Sequence, residues 1–167
     1  MLATLGQDRG VKVVLDPLPA QLSGDPLRLR QLVTILADNA IRHSPAGSTV
    51  GVRVRPAVGA AVLQVDDSGH GIRPEDLPRL FERFWRADRA RARSLGGTGL
   101  GLAIAMEDVR LHGGNLTAWG RPMRGAQFRV TIPRRHGIPI ASSPLPIVPR
   151  DLPRRRPVAK SIGRAEK

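Results

Sequence analysis

Apolar and polar positions divide residues 1–133 into stretches of two periods, and leave the remainder with neither. Residues 11–15, Val-Lys-Val-Val-Leu, read as a short strand. Between residues 25 and 43, Leu29, Leu32, Val33, Leu36 and Ala40 recur at helical spacing and predict a helix. Asp25 suits its N-cap and Pro26 its first position, while Ser-Pro-Ala-Gly at 44–47 ends it. Residues 49–56 alternate apolar and polar as a half-buried strand does, and 61–66 form a second strand. The four residues between them, Ala57 to Ala60, allow a hairpin. Asp67–Arg73 reads as a glycine-bearing loop, Glu75–Arg86 as a short helix, and the chain to Leu95 as an arginine-rich loop. Thr98–His112 predicts the second long helix, closed by His-Gly-Gly, and 115–119 and 126–132 the last strands. No internal repeat is present.

After Pro133 the pattern collapses into Pro, Ser and Arg, a composition too poor in apolar surface to offset its ordering entropy. The expected organisation is a lead over 1–10, one domain over 11–133 and a disordered tail over 134–167. A chain of 167 residues is long enough for one domain with a real core.

The formal charge of +13 suggests affinity for nucleic acid or an anionic surface. Its distribution argues otherwise, because residues 134–167 hold nine basic and two acidic side chains and so supply +7 of it. No nucleic-acid partner is expected. With no cysteine, disulfides and thiolate metal sites are excluded. His43, His70, His112 and His136 are scattered and form no zinc motif. No apolar run approaches the roughly 20 residues needed to span a bilayer. Nor does the N-terminus read as a signal peptide, so a cytoplasmic protein is expected.

Four stretches carry candidate chemistry. Leu-Gly-Gly-Thr-Gly-Leu-Gly-Leu-Ala-Ile at 95–104 puts four glycines where a helix begins, although glycine costs roughly 1 kcal/mol relative to alanine inside a helix. A helix N-terminus offers unpaired N–H groups and partial positive charge, and bare backbone before it lets an anion approach. The stretch suits a phosphate-binding turn or, more plainly, a hinge before a core helix; no Gly-Lys-Ser/Thr follows, so it is not a P-loop. Asp-Asp-Ser-Gly-His-Gly-Ile at 66–72 places Asp67 where its carboxylate could accept from the exocyclic amine of a purine, or where it is an ordinary acidic turn. Asn39 lies near the edge of the apolar stripe, and its amide oxygen is either a hard ligand for Mg²⁺ or a satisfied core group. Arg42 and His43 follow one turn on, within reach of phosphate oxygens. Leu-Phe-Glu-Arg-Phe-Trp-Arg at 80–86 concentrates Phe81, Phe84 and Trp85, as a core helix or as the anchor of a lid.

In order and spacing these stretches resemble the ATP-binding domain of sensor histidine kinases, in the superfamily that includes gyrase B, Hsp90 and MutL. Leu-Val-Thr-Ile-Leu-Ala-Asp-Asn-Ala-Ile-Arg-His-Ser-Pro resembles the N box and Asp-Asp-Ser-Gly-His-Gly-Ile the first glycine box. Leu-Phe-Glu-Arg-Phe-Trp-Arg-Ala-Asp resembles the aromatic F box, and Gly-Gly-Thr-Gly-Leu-Gly-Leu-Ala-Ile the second glycine box. The resemblance covers about residues 10–133. It implies an α+β fold, a two-layer α/β sandwich of Bergerat type with a mixed sheet and helices on one face. It implies ATP and Mg²⁺ as ligands, with Asn39 on the metal and Asp67 on adenine. Gly69, Gly71 and Ile72 would shape the base pocket, and Arg42, His43 and Arg86 would lie near the phosphates. Gly97, Thr98, Gly99, Leu100, Gly101 and Leu102 would hold the triphosphate. Asn39, Arg42 and Arg86 would carry catalysis.

Two departures stand out. Where the family commonly has another Asn, four residues before the Mg²⁺ ligand, this chain has Ile35, and where it often has Thr the chain reads Ala126-Gln127. No His has the acidic neighbour and downstream Pro-Leu of the family's phosphoacceptor, and only about ten residues precede the first strand. The expected function is therefore the kinase module of a split two-component system. It would phosphorylate a His on a separate dimerisation protein, which then supplies a response regulator. A nucleotide-binding regulator without transfer and an anti-sigma-type serine kinase are the alternatives.

Overall fold

The computed structural model describes residues 2–87, 98–135, 137–140 and 142. Of the sequence expectations, Gly97 and nearly all of the tail beyond residue 140 lie outside these residues.

Helix α1 (Leu2–Gln7) occupies the lead, where the sequence pattern gave no element. Strand β1 (Lys12–Pro17) follows, then helix α2 (Pro26–His43). Asp25 caps α2, accepting from the backbone N–H groups of Leu27 at 2.8 Å and Arg28 at 3.3 Å, with Pro26 in the first turn as its missing N–H allows. Strands β2 (Thr49–Ala57) and β3 (Ala60–Asp66) form the expected hairpin. Helix α3 (Gly101–Leu111) begins three residues later than the pattern suggests, and β4 (Asn115–Gly120) and β5 (Ala126–Pro133) complete the chain.

The short helix expected over Glu75–Arg86 is corrected: only a 3-10 helix forms, Pro74–Arg79, followed by turns. Pro78 lies inside it, and a proline there has no N–H for an α-helical bond and collides with the preceding turn. The left-handed backbone of Phe84, φ 61°, rules out continuation beyond.

The five strands form one mixed sheet in the order β1-β2-β3-β5-β4. β1 runs parallel to β2, across the α2 crossover, and the remaining pairs are antiparallel. Alternation sends Val50, Val52, Val65, Phe128, Val130, Ile132 and Leu116 to one face, where they meet Leu32, Leu36, Ala37, Ala40 and Ile41 of α2 and Ala105 and Val109 of α3. This is the expected two-layer α+β sandwich with helices on one face. At roughly 2 kcal/mol for each fully buried aliphatic side chain, this layer is the main source of stability.

Helices α2 and α3 pack antiparallel. Near residue 35 of α2 lies the start of α3, since a methyl on Gly101 would stand 3.4 Å from Ile35 Cγ2. Near residue 28 lies its far end, where the Arg28 guanidinium donates to Asp108 Oδ1 at 2.9 Å. The fold thereby has two poles, and the candidate residues gather at one of them.

Candidate nucleotide site

Three elements converge at that pole: the last two turns of α2, the loop after β3 and the first turn of α3. On α2, Ile35, Asn39 and His43 fall at i, i+4 and i+8 and so share a face. Ile35 abuts Gly101, and the His43 carbonyl lies against Gly69, so the face runs from the start of α3 to the Asp67 loop. Asn39 stands between them, half-buried, and among the described residues no group engages its side-chain amide. The Arg42 Nε donates to Asp38 Oδ2 at 2.6 Å.

Asp67 is 3% exposed. Its Oδ1 accepts from the Gly69 N–H at 2.9 Å and the Ala126 N–H at 3.1 Å. Both backbone bonds fall on one oxygen, leaving Oδ2 to accept from a ligand. Burial pushes the carboxyl up to about 6, the two N–H bonds pull it back, and the neighbouring Asp66 raises it again.

The turn between β4 and β5 backs this loop. The Met123 N–H donates to the His70 carbonyl at 2.7 Å. Gly71 has φ +76°, and any side chain there would collide with the Arg121 carbonyl. Ile72 packs on the core and against Gly120. These backbone partners, Arg121, Met123 and Ala126, were not legible as site residues. Only the glycine at 125, pressed against the Asp67 backbone, hinted at a close approach there.

His43 and His70 meet edge to face, ring centroids 5.0 Å apart. His43 Nδ1 is buried and has no hydrogen-bond partner among the described residues. Desolvation drops the His43 pKa to about 4, helped by the charges of His70, Arg42, Arg86 and Arg9. Arg42, Arg86 and Arg9 are thus near enough for their charges to be felt at His43, and the sequence did not single out Arg9.

Leu100 occupies the N-cap position of α3 and its side chain makes no cap hydrogen bond, so it claims none of the first N–H groups of the helix. Gly99 takes φ +72° with its would-be Cβ against the Phe84 backbone, and its carbonyl accepts from the Phe84 N–H at 3.0 Å. Bare, left-handed backbone is what this junction requires. Thr98 is exposed and Leu102 packs against the core. Of the aromatic cluster, Phe81 packs on the core, Trp85 lies under the Arg79 guanidinium at 5.9 Å, and Phe84 is 71% exposed. The structure therefore brings together Asn39, Arg42, His43, Asp67, Gly69, Gly71, Ile72, Arg86, Gly99, Leu100, Gly101 and Leu102, with Thr98 at the margin.

Among the described residues, no group of three or more His, Cys, Asp or Glu could hold a metal ion. The lone Asn39 oxygen fits instead a hard cation that brings its own waters and is shared with phosphate oxygens, which is how Mg²⁺ is commonly held. Among the described residues no helix is long and apolar enough to cross a membrane.

Comparisons with known proteins identify the family. The family described as histidine kinase-, DNA gyrase B-, and HSP90-like ATPase matches residues 24–136. The sensor histidine kinase MtrB of Mycobacterium tuberculosis is 41% identical over 148 residues, covering 87% of this chain and 26% of MtrB. The chain thus spans about a quarter of that relative's length. That alignment also runs past residue 136, because fewer residues lie outside it than follow that position. The mycobacterial sensor histidine kinase MprB has a solved structure that superposes with a TM-score of 0.69 at 33% identity, covering 81% of this chain and 90% of that one. The full-length ShkA structure, in complex with AMPPNP, matches with a TM-score of 0.70 at 28% identity, covering 86% of this chain and 29% of that one. The chain belongs to the histidine kinase-, DNA gyrase B- and HSP90-like ATPase family, as an ATP-binding catalytic domain of the histidine-kinase kind.

Proposed function

We propose that this chain transfers the γ-phosphoryl group of Mg-ATP to a histidine on a separate dimerisation protein in the cytoplasm, for relay to a response regulator. The observation that carries the reading is the convergence of the Asp67 loop, the Asn39 face of α2 and the uncapped start of α3 at one pole. Asp67 Oδ2 accepts from the adenine amine, while Gly69, Gly71 and Ile72 form the walls around the base. Thr98 to Leu102 present backbone N–H groups and the positive end of α3 to the phosphates. Arg42, His43 and Arg86 flank them from α2 and the aromatic segment. Asn39 would hold Mg²⁺, which would supply neutralisation of phosphate charge when bound. Transfer then rests on positioning and charge neutralisation, with the partner's imidazole as nucleophile.

The described histidines, His43, His70 and His112, support an external acceptor. His43 is half-buried, with its Nδ1 buried, in the field of cationic arginines. His112 has both ring nitrogens engaged, Nδ1 with the Asp108 carbonyl at 2.6 Å and Nε2 with the Asp25 N–H at 3.1 Å. His70 sits in the base loop against His43.

The test is incubation with γ-labelled ATP and Mg²⁺, with and without a histidine-bearing dimerisation protein, alongside Asn39→Ala and Asp67→Asn. Acid-labile label on the partner, absent in both variants, is the expected result. Label on this chain, or acid-stable label as from a serine kinase, would refute it.

One observation favours a second reading, a nucleotide-binding regulator without transfer. Ile35 packs on Gly101 at the phosphate end, where the resembling family places a second Asn. A methyl-bearing side chain there orients neither metal nor water. If this reading holds, the native chain binds ATP without labelling any partner, and Ile35→Asn gains transfer.

A further inference from the structure

The sheet has two edges, β1 and β4, and they differ. No residue of β4 is exposed, and Ile72 lies against Gly120 at its end. Five of the six residues of β1 are exposed, all except Val13. The direction of its backbone groups follows from the bonds to β2. The Lys12 N–H donates to the Ser48 carbonyl at 2.9 Å, and the Leu18 N–H, just past the strand, to the Val54 carbonyl at 2.9 Å. Backbone groups alternate along a strand, so Lys12, Val14 and Asp16 turn theirs to β2, and Val13 and Leu15 turn theirs away from the sheet. Among the described residues nothing pairs with the N–H or carbonyl of Val13 or Leu15. These strong polar groups line an open edge, beside exposed Val14 (41%) and Leu15 (56%). Such an edge is a template for another strand.

The open stretch is short and both its ends are defined. Pro17 has no N–H to donate. The Val11 N–H already donates to the Gly6 carbonyl at 2.8 Å. Helix α1 stands on the helix side of the sheet, where Leu2 and Leu5 pack against the core. The other side of β1 carries Lys12, Val14 and Asp16, in register with Thr49, Gly51 and Arg53 of β2, and all three are exposed. Asp16 is paired with Arg55 through Oδ2. Among the described residues Lys12 makes no ion pair.

We infer that β1 pairs antiparallel with β1 of a second copy of this chain, joining the two sheets across a two-fold axis at Val14. Hydrogen bonding selects this register. With the axis at Val14, Val13 of each copy exchanges N–H and carbonyl bonds with Leu15 of the other, using every open group. An axis at Val13 would set Leu15 against Val11, whose N–H is taken. An axis at Leu15 would set Val13 against Pro17, which has no N–H. Charge selects the same register independently. With the axis at Val14, Lys12 of each copy stands beside Asp16 of the other, at a non-hydrogen-bonded position where side chains are closest. Asp16 then lies between Arg55 of its own chain and Lys12 of the second copy. A shift of two residues loses that pairing. Val14 meets its own copy at the axis, and Leu15 lies against Val13 on the helix side. An antiparallel pair closes on itself, so assembly stops at two copies. The pairing needs no nucleotide and stands apart from the proposed phosphoryl transfer.

Two experiments test the pairing. The first is sedimentation of the full chain at rising concentration, alongside Lys12→Glu, Asp16→Lys and an equal mixture of the two variants. The native chain should pass from monomer to dimer. Each variant alone sets like charges against each other and should stay monomeric. The mixture restores opposite charges at both contacts and should dimerise again. A native chain that is monomeric throughout, or a mixture no more associated than its components, overturns the inference. The second uses the absence of native cysteine. Across the axis a non-hydrogen-bonded pair stands about 4.5 Å apart at Cα, within reach of a disulfide. Under mild oxidation Val14→Cys should link two chains roughly tenfold or more faster than Val58→Cys, since pairing holds the thiols together. Val58 is the fully exposed control at the hairpin tip. Adding Leu15→Pro, which removes an outward N–H and no bond to β2, should slow Val14→Cys to the rate of the control. Linking no faster than Val58→Cys refutes the pairing. So does linking to a different protein in place of a second copy, which would assign the edge to a foreign strand.

Discussion

The two ends of the α2–α3 pair are built from similar residues and behave in opposite ways. At the far end, Arg28, Asp108, His112 and Asp25 engage one another: the Arg28 guanidinium meets Asp108 Oδ1, and His112 bridges the Asp108 carbonyl to the Asp25 N–H, with only Asp108 Oδ2 lacking a partner among the described residues. At the near end, polar groups are buried without such closure. Asp67 is held through one oxygen only, and His43 keeps a buried Nδ1 without a partner among the described residues. One end of the helix pair is closed chiefly by protein groups, and the other, under the proposed function, is closed by a ligand. Incomplete satisfaction costs stability, and it persists where function requires it.

Asp67→Asn breaks the near end most sharply. Asn still accepts from Gly69 and Ala126 through its oxygen, but presents an amide where, under the proposed function, the carboxylate faces the base. Removing a charge-assisted bond worth about 1.5–3 kcal/mol weakens nucleotide affinity by roughly 10- to 100-fold. Calorimetric titration with a non-hydrolysable ATP analogue measures this. The melting temperature should not fall, because the variant also removes a carboxylate whose ionised form burial disfavours.

The pH response separates the two costs at this end. Asp67 titrates at about 6 in the fold against 3.8 ordinarily, so between those values the native state binds more protons than the unfolded chain. Its contribution to stability is fully present below 3.8 and is lost as pH rises through 6. His43 is lowered from 6.5 to about 4, so its contribution is present above 6.5 and is lost as pH falls through 4. Over the shared window the two slopes oppose, and together they leave stability nearly flat. Affinity has no such compensation. At pH 5, one unit below its pKa, roughly a tenth of Asp67 is ionised, and ATP binding is expected to weaken about tenfold relative to pH 7.5. Asp67→Asn should flatten the affinity profile. It should also unmask the His43 slope in chemical unfolding, with stability rising from pH 4 to 6.5. An affinity profile unchanged by that substitution would assign the titration elsewhere.

How far the sequence alone foretold this contrast depends on the kind of signal. Periodicity placed α2 and β2 to β5 within a residue or two, because each has an amphipathic pattern that the core reads directly. The reading failed at Glu75–Arg86, taken as a short helix, where Pro78 decided otherwise. It also gave nothing for α1, a helix of six residues too short to show a period. At the site, residues marked by side-chain chemistry, such as Asn39 and Asp67, were legible. Backbone partners were not, since the Ala126 N–H and the Arg121 carbonyl act regardless of the side chain they carry. The completed far end was invisible for another reason. His112 was read as a helix terminator and Asp108 was not singled out, because their pairing with Asp25 and Arg28 depends on two helices lying antiparallel.

That far end provides the mildest test. Arg28→Ala leaves Asp108, 1% exposed and with Oδ2 already lacking a partner among the described residues, without its cation. Arg28 itself is half-exposed, so solvent screens much of the pair, and the expected loss is about 1 kcal/mol. Urea unfolding measures it. Nucleotide affinity should stay within about twofold, since 1.4 kcal/mol is needed for a factor of ten and the near end makes no contact with Arg28. If Arg28→Ala instead weakens ATP binding as strongly as it weakens the fold, the two ends are coupled through the register of α2 on α3. The far end would then position Gly101 against Ile35 as well as hold the helices together.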